Sequence, residues 1–241
     1  MYELDLSWNP LYSSVNDLVK NLHHVTVLRL IHVNMKEKEA AVLGASLACI
    51  NGLQTLDISF NALGHGIIEL ANHLHCVPSL TELRLQYTEM GGEEATAVFR
   101  CLPSINLLEI LDLSENPLGN GIIELAKHLN FVPGLRELYL SRTQIGEEEV
   151  SALASALKHA PDLDTLDLSC NPLGRGVSVL IEHLSSVPVL RNLYLFRVEM
   201  TKSEAEELCT ACGTHTWLAT DYHVSVLFLL TLIFFDFISP L

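Results

Sequence analysis

The chain has 241 residues, 49% hydrophobic and 18% charged, enough apolar side chain for a continuous core, which excludes an intrinsically disordered segment. Its formal net charge is −15 at pH 7 with no basic stripe to offset it, so a nucleic-acid backbone is repelled rather than gathered. The six cysteines sit irregularly and make no disulfide framework, which fits a reducing compartment.

From Leu4 onward one phrase recurs. It reads LDLSWNPL at Leu4, LRLIHVNM at Leu28, LDISFNALG at Leu56, LRLQYTEMG at Leu83, LDLSENPLG at Leu111, LYLSRTQIG at Leu138, LDLSCNPLG at Leu166 and LYLFRVEM at Leu193. The sixth residue of each phrase falls at 9, 33, 61, 88, 116, 143, 171 and 198, alternating between steps of 27 and 28 residues after a shorter first one. Asparagine holds 9, 61, 116 and 171; Val33, Thr88, Thr143 and Val198 hold the others. A strict period of this length predicts a solenoid, one supersecondary unit per repeat, each sharing its apolar face with its neighbours.

Within a unit the alternation Leu108, Leu111, Leu113 predicts a strand with those side chains inward and Glu109, Asp112 and Ser114 outward. Asn116 then turns the chain, its carboxamide available to backbone groups that the bend leaves unpaired. Val33 and Val198 depart from that chemistry and predict looser turns. Val150, Leu153, Ala154 and Leu157 form one apolar stripe, predicting an outer helix. Thr201 with Glu204 makes a capping-box pattern, Glu147 to Glu149 place negative charge at a helix start, and prolines at 78, 103, 133, 161 and 188 stop the helices before the next strand.

This pattern resembles the leucine-rich repeat, specifically the ribonuclease-inhibitor subclass with its alternating pair of long repeats, over residues 1 to about 212. The resemblance implies an α/β horseshoe of about eight repeats, with a parallel concave sheet and convex helices. The same subclass forms the sensor end of NOD-like receptors of innate immunity, the Ran GTPase-activating protein and ribonuclease inhibitor itself, so function does not follow from fold. The chain contains no G-x-x-x-x-G-K-[ST] phosphate loop. The repeat is already under way at Met1, so the chain is expected to be a fragment, either a truncated coding sequence or one end of a larger receptor.

Signals that suggest chemistry have a repeat-wide explanation. His73, His128 and His183 occupy one position at intervals of 55 residues. Units about 8 to 10 Å apart put them about 16 to 20 Å from each other, too far to share a metal ion whose nitrogen ligands lie at ~2 Å. They are expected at helix C-termini. Gly64-x-Gly66, Gly119-x-Gly121 and Gly174-x-Gly176 recur in every other unit, where a tight strand-to-helix turn accounts for them better than a nucleotide does. Cys209 and Cys212 lack a second pair to complete a zinc site. No cofactor, metal or catalytic group is expected.

The outward residues carry the candidate site. At mid-strand the order is Asp5, Arg29, Asp57, Arg84, Asp112, Tyr139, Asp167, Tyr194, a cross-strand ladder of opposite charges and phenols on the concave face. Three residues further on stand Trp8, His32, Phe60 and Tyr87, then Glu115, Arg142, Cys170 and Arg197. The four rings resemble a protein-binding hot spot on the rim, with packing against the ascending loops as the alternative. The partner-binding residues expected are Trp8, Arg29, His32, Asp57, Phe60, Arg84, Tyr87, Asp112, Tyr139, Arg142, Tyr194 and Arg197.

Residues 213 to 241 read as a separate hydrophobic tail. Its apolar run from Val224 to Phe235 spans roughly 18 Å as a helix, short of a hydrocarbon core of ~30 Å. Membrane contact is expected only through this run, a removable lipid-anchor signal and a mispredicted exon remaining open alternatives. The expectation is a cytoplasmic protein-interaction module of the NOD-like-receptor type, with membrane association through the tail as the other location. A GTPase-activating regulator, or an inhibitor of a basic enzyme drawn in by the negative charge, are the competing functions.

Overall fold

The structure is a computed structural model that describes residues 2–50, 52–212 and 217–220. The eight phrases become eight short strands: β1 (Glu3–Asp5), β2 (Val27–Arg29), β3 (Thr55–Asp57), β4 (Glu82–Arg84), β5 (Ile110–Asp112), β6 (Glu137–Tyr139), β7 (Thr165–Asp167) and β8 (Asn192–Leu195). They lie in sequence order in one open parallel sheet, and β9 (Trp217–Thr220) adds to β8 in register. Connecting each strand to the next are helices α1 (Val15–Leu18), α2 (Glu37–Ser46), α3 (Gly66–Asn72), α4 (Gly92–Arg100), α5 (Ile122–His128), α6 (Glu147–Ala156), α7 (Gly176–His183) and α8 (Lys202–Cys212). Strands stack at ~4.8 Å while helices need about 8 to 10 Å. The sheet is therefore the inner arc of a leucine-rich-repeat solenoid.

β9 falls inside the stretch assigned from sequence to a non-repeat tail, so the sheet runs one strand past the boundary drawn at residue 212. Trp217-Leu218-Ala219-Thr220 lacks the repeating phrase, and only the pairing of Leu193 with Leu218 ties it to the series. The apolar run at 224–235 lies outside the described residues. Among the described residues no helix is long and apolar enough to cross a membrane.

The inward leucines do what their period demands. Leu28, Leu56, Leu83, Leu111, Leu138, Leu166 and Leu193 sit opposite one another across successive strands, and all are fully buried in one continuous core. Each contributes about 1.5–3 kcal/mol of apolar transfer. Val150, Leu153 and Ala154 of α6 are buried as the stripe predicts, and Leu157 follows in a 3-10 turn. The capping box at Thr201 forms, with its N–H donating to Glu204 Oε2 at 2.8 Å and Glu204 N–H donating to Thr201 Oγ1 at 3.3 Å. The half of it that uses the glutamate recurs at Lys36, Gly91 and Gly146, whose N–H groups donate to Glu39, Glu94 and Glu149. His73, His128 and His183 end their helices as expected, each Nδ1 bonded to the carbonyl four residues back.

The turn asparagines do more than turn their own chain. Asn116 Nδ2 donates to Leu113 and Ser114 carbonyls in its own unit and to Leu85 in the unit before, at 3.0, 3.1 and 2.7 Å. Its Oδ1 accepts from Thr88 N–H and Met90 N–H of that earlier unit at 2.9 and 3.1 Å. Asn61 and Asn171 repeat the arrangement. This overturns the looser turn expected at Val33: its N–H is held by Asn61 Oδ1 at 3.0 Å, and its side chain is buried. The missing polar group is supplied by the next repeat.

The Gly-x-Gly pairs divide their labour. Gly64, Gly119 and Gly174 have φ of 44°, 47° and 52°, the turn requirement read from the sequence. Gly66 and Gly176 have ordinary φ and serve packing instead, because α3 and α7 cross the preceding helix where a side chain would meet backbone.

Candidate functional site

Three rows of side chains leave the concave face. The middle row is the expected ladder in strict register, from Asp5 opposite Arg29 through to Asp167 opposite Tyr194. One expected ion pair forms, and glutamates on the same face add others. Arg84 reaches Asp112 at 3.5 Å but bonds more closely to Glu82 on its own strand, and Arg29 pairs with Glu3. Tyr139 donates its hydroxyl to Glu137 at 2.8 Å, and the Arg84 guanidinium lies 6.0 Å from the Tyr139 ring centre. Burial, then the bond to Glu137, raises the Tyr139 phenol above its ordinary range. Glu3, Glu82 and Glu137 were missed in the sequence, although period-2 alternation puts a residue two positions back on the same face.

Each ladder aspartate also folds onto its own strand. Asp5, Asp57, Asp112 and Asp167 accept the N–H of the serine two residues on, at 2.9 to 3.0 Å. Asp57 and Asp112 are only 6% and 9% exposed, so these two members of the expected partner-binding set are covered by their neighbours. Burial raises both carboxyls above the usual range, against the pull of the serine bonds and Arg84.

A raised folded-state value means that ionisation costs stability. The cost is absent below the unfolded value of about 3.9 and is complete once pH passes the folded value. Asp57→Asn keeps the acceptor for Ser59 and removes the charge, so its thermal midpoint should exceed the parent's at pH 8 and converge with it near pH 3. A lower midpoint at pH 8 would show that pairing with Arg84 outweighs burial.

The rim row has a backbone signature that the sequence did not reveal. Trp8, His32, Phe60, Tyr87, Glu115, Arg142, Cys170 and Arg197 all have positive φ, between 52° and 63°. The N–H of each of the first seven donates to a carbonyl of the next unit, as Phe60 does to Gln86 at 2.8 Å and Tyr87 to Ser114 at 3.0 Å. That bond continues the strand ladder around the corner and holds the left-handed geometry in place. The first four rings touch in series: Trp8 to His32 at 4.7 Å, Trp8 to Phe60 at 6.5 Å and Phe60 to Tyr87 at 5.7 Å between centroids. Trp8 and Tyr87 remain 67% and 56% exposed.

Beyond Tyr87 the rim becomes charged. Arg142 pairs with Glu115 at 3.3 Å and Arg197 is exposed at the same position, while Tyr194 is half-buried at the end of the ladder. The structure thus brings the expected residues into two neighbouring rows. It adds Tyr12, which sits three residues after Asn9 where the other asparagine turns have glycine. Aligning the repeats by their asparagines would have exposed that substitution. Among the described residues, no three His, Cys, Asp or Glu side chains gather where they could hold a metal ion.

No family model matches the chain. It is 32% identical over 231 residues to NACHT, LRR and PYD domains-containing protein 12 of Mus musculus, covering 90% of this chain and 22% of the relative. It is 27% identical over 202 residues to ribonuclease inhibitor of Sus scrofa, covering 80% of this chain and 44% of that one. An internalin from Listeria monocytogenes matches 74% of the chain, and half of the internalin, with a TM-score of 0.51 at 20% identity, a likeness of fold alone. The chain spans 10% to 44% of the length of these and other curated relatives. The register of the strands, the paired 27- and 28-residue steps and these two relatives agree: the chain is a leucine-rich-repeat protein of the ribonuclease-inhibitor subclass.

Proposed function

We propose that the chain is a protein-recognition module without chemistry of its own, presenting its concave strands and aromatic rim to a protein partner. The observation that carries this is the run of four rings at left-handed backbone positions. The rings at either end of the run, Trp8 and Tyr87, stay largely exposed and return little buried core. The left-handed φ is common to all eight rim positions, so the rings are what set this end apart, and large rigid rings dominate protein interfaces at low entropic cost. The likeness to a NACHT, LRR and PYD protein supports a finer form, the ligand-sensing or regulatory repeat region of a NOD-like-receptor-type protein. A cytoplasmic location suits the free thiols of Cys49, Cys76, Cys101, Cys170 and Cys209.

The test is site-specific photocrosslinking in cells, with benzoylphenylalanine in place of Tyr87 on the rim, Tyr139 on the sheet, or Ser155 on the outer face of α6. The same discrete protein adduct should form from Tyr87 and Tyr139 and not from Ser155. An equal adduct from Ser155, or none from the other two, rejects the proposal.

A further inference from the structure

We infer that the rim holds a site for a cationic side chain, an arginine or lysine of an extended segment of the partner protein, in the groove walled by Tyr12, His32, Phe60 and Tyr87. The inference rests on the recognition surface proposed above and assigns its chemistry.

Tyr12 is the starting point. In the other asparagine turns the equivalent residue is glycine, and all four positions share a left-handed φ. Tyr12 N–H donates to the Val33 carbonyl at 3.3 Å, as Gly64 does to Thr88 at 3.2 Å and Gly119 to Thr143 at 3.1 Å. With φ at 48°, glycine would meet this demand with less strain. The tyrosine gains little from the core, since it is 58% exposed. Its ring lines a groove of about 430 Å³ instead.

The other walls arise in the same way. Tyr12, His32, Asn34, Phe60, Tyr87 and Glu89 all line this groove, and all six have positive φ, between 48° and 59°. Two rows of left-handed residues from neighbouring units therefore converge on one space. Aromatic faces carry negative potential and accept a guanidinium or ammonium group. Glu89 supplies the opposite charge and the Asn34 carboxamide an acceptor. An apolar guest would cover these two polar groups without pairing them. An anion would face both the carboxylate and the ring faces. Lys36 also lines the groove and is the cation with which a guest must compete. The net charge of −15 favours the approach of a basic segment.

The intact chain is titrated with N-acetyl-arginine methylamide and with its neutral isostere, the citrulline analogue, while ring signals are followed by aromatic carbon-proton NMR. Saturable shifts are expected at Tyr12, Phe60 and Tyr87, with the citrulline compound binding about two- to fivefold more weakly. Glu89→Gln should weaken arginine binding and Lys36→Met should strengthen it. Tyr12→Gly should weaken it by a similar two- to fivefold factor while raising the melting temperature, because glycine is relaxed at this φ; a loss of binding then cannot be ascribed to unfolding. Equal affinity for the two compounds, or shifts confined to other rings, overturns the cation site. Equal affinity accompanied by crosslinks from Tyr87 and Tyr139 removes this inference and leaves the recognition surface standing. Arginine selectivity without crosslinks does the reverse.

Discussion

Asn116→Ala is expected to lower the stability of the chain by about 3–5 kcal/mol, since it strips partners from several buried backbone groups at once. The carboxamide is fully buried and bonds to Leu85, Leu113 and Ser114 carbonyls and to the N–H groups of Thr88 and Met90. Water cannot replace it without opening two turns. Asn9 is the internal control: it is exposed and donates only to Leu6 and Ser7 carbonyls, so Asn9→Ala should cost about 0.5–1.5 kcal/mol, the ordinary value of a hydrogen bond. Urea midpoints measure both, and amide exchange should accelerate at Thr88 and Met90 in the first variant. Similar losses from the two substitutions would show that the carboxamide does not couple the units.

Gly66→Ala is the second large effect, a loss of about 2–3 kcal/mol from overpacking. A methyl group on Gly66 would lie 2.8 Å from Glu37 Cα and 2.9 Å from Ala40 Cβ, and closer still to the Glu37 carbonyl oxygen. These are largely backbone atoms of α2 that cannot rotate away, so the helices must separate. Gly134→Ala is the contrast, with nothing within 4 Å of the new carbon and an ordinary φ. It should be neutral, or stabilising by about 0.5 kcal/mol through the unfolded chain. Thermal unfolding of the pair checks this, and a neutral Gly66→Ala would mean that α2 and α3 are free to slide apart.

The solenoid was legible because its leucines obey two periods at once, alternation within a strand and a fixed stride between strands. The ladder from Asp5 to Tyr194 was legible for the same reason, since equal spacing fixes register. What escaped was anything decided by backbone dihedrals or by contact across the stride. The left-handed φ of Trp8 or Tyr87 has no composition signal, as the usual markers, glycine and asparagine, are absent from that position. Burial of Asp57 follows from long neighbours on both sides rather than from its own residue type. The second glycine of Gly64-x-Gly66 appeared to serve the turn, because the helix that it touches belongs to the preceding repeat. Sequence places side chains on a face; it does not say which of them the neighbours will cover.

The asparagine clamps have a direction, and direction gives the spring a grain. Asn61 reaches back to Leu30, Asn116 to Leu85 and Asn171 to Leu140, and the Thr88 and Thr143 hydroxyls, besides bonding carbonyls of their own unit, meet the Asn116 and Asn171 Oδ1 atoms from the other side. The molecule is thus riveted in doublets, with a plainer seam after each. Lengthening, trimming or shuffling the coil at those seams leaves every rivet whole, while a cut through a doublet strands the amides of the turn left behind.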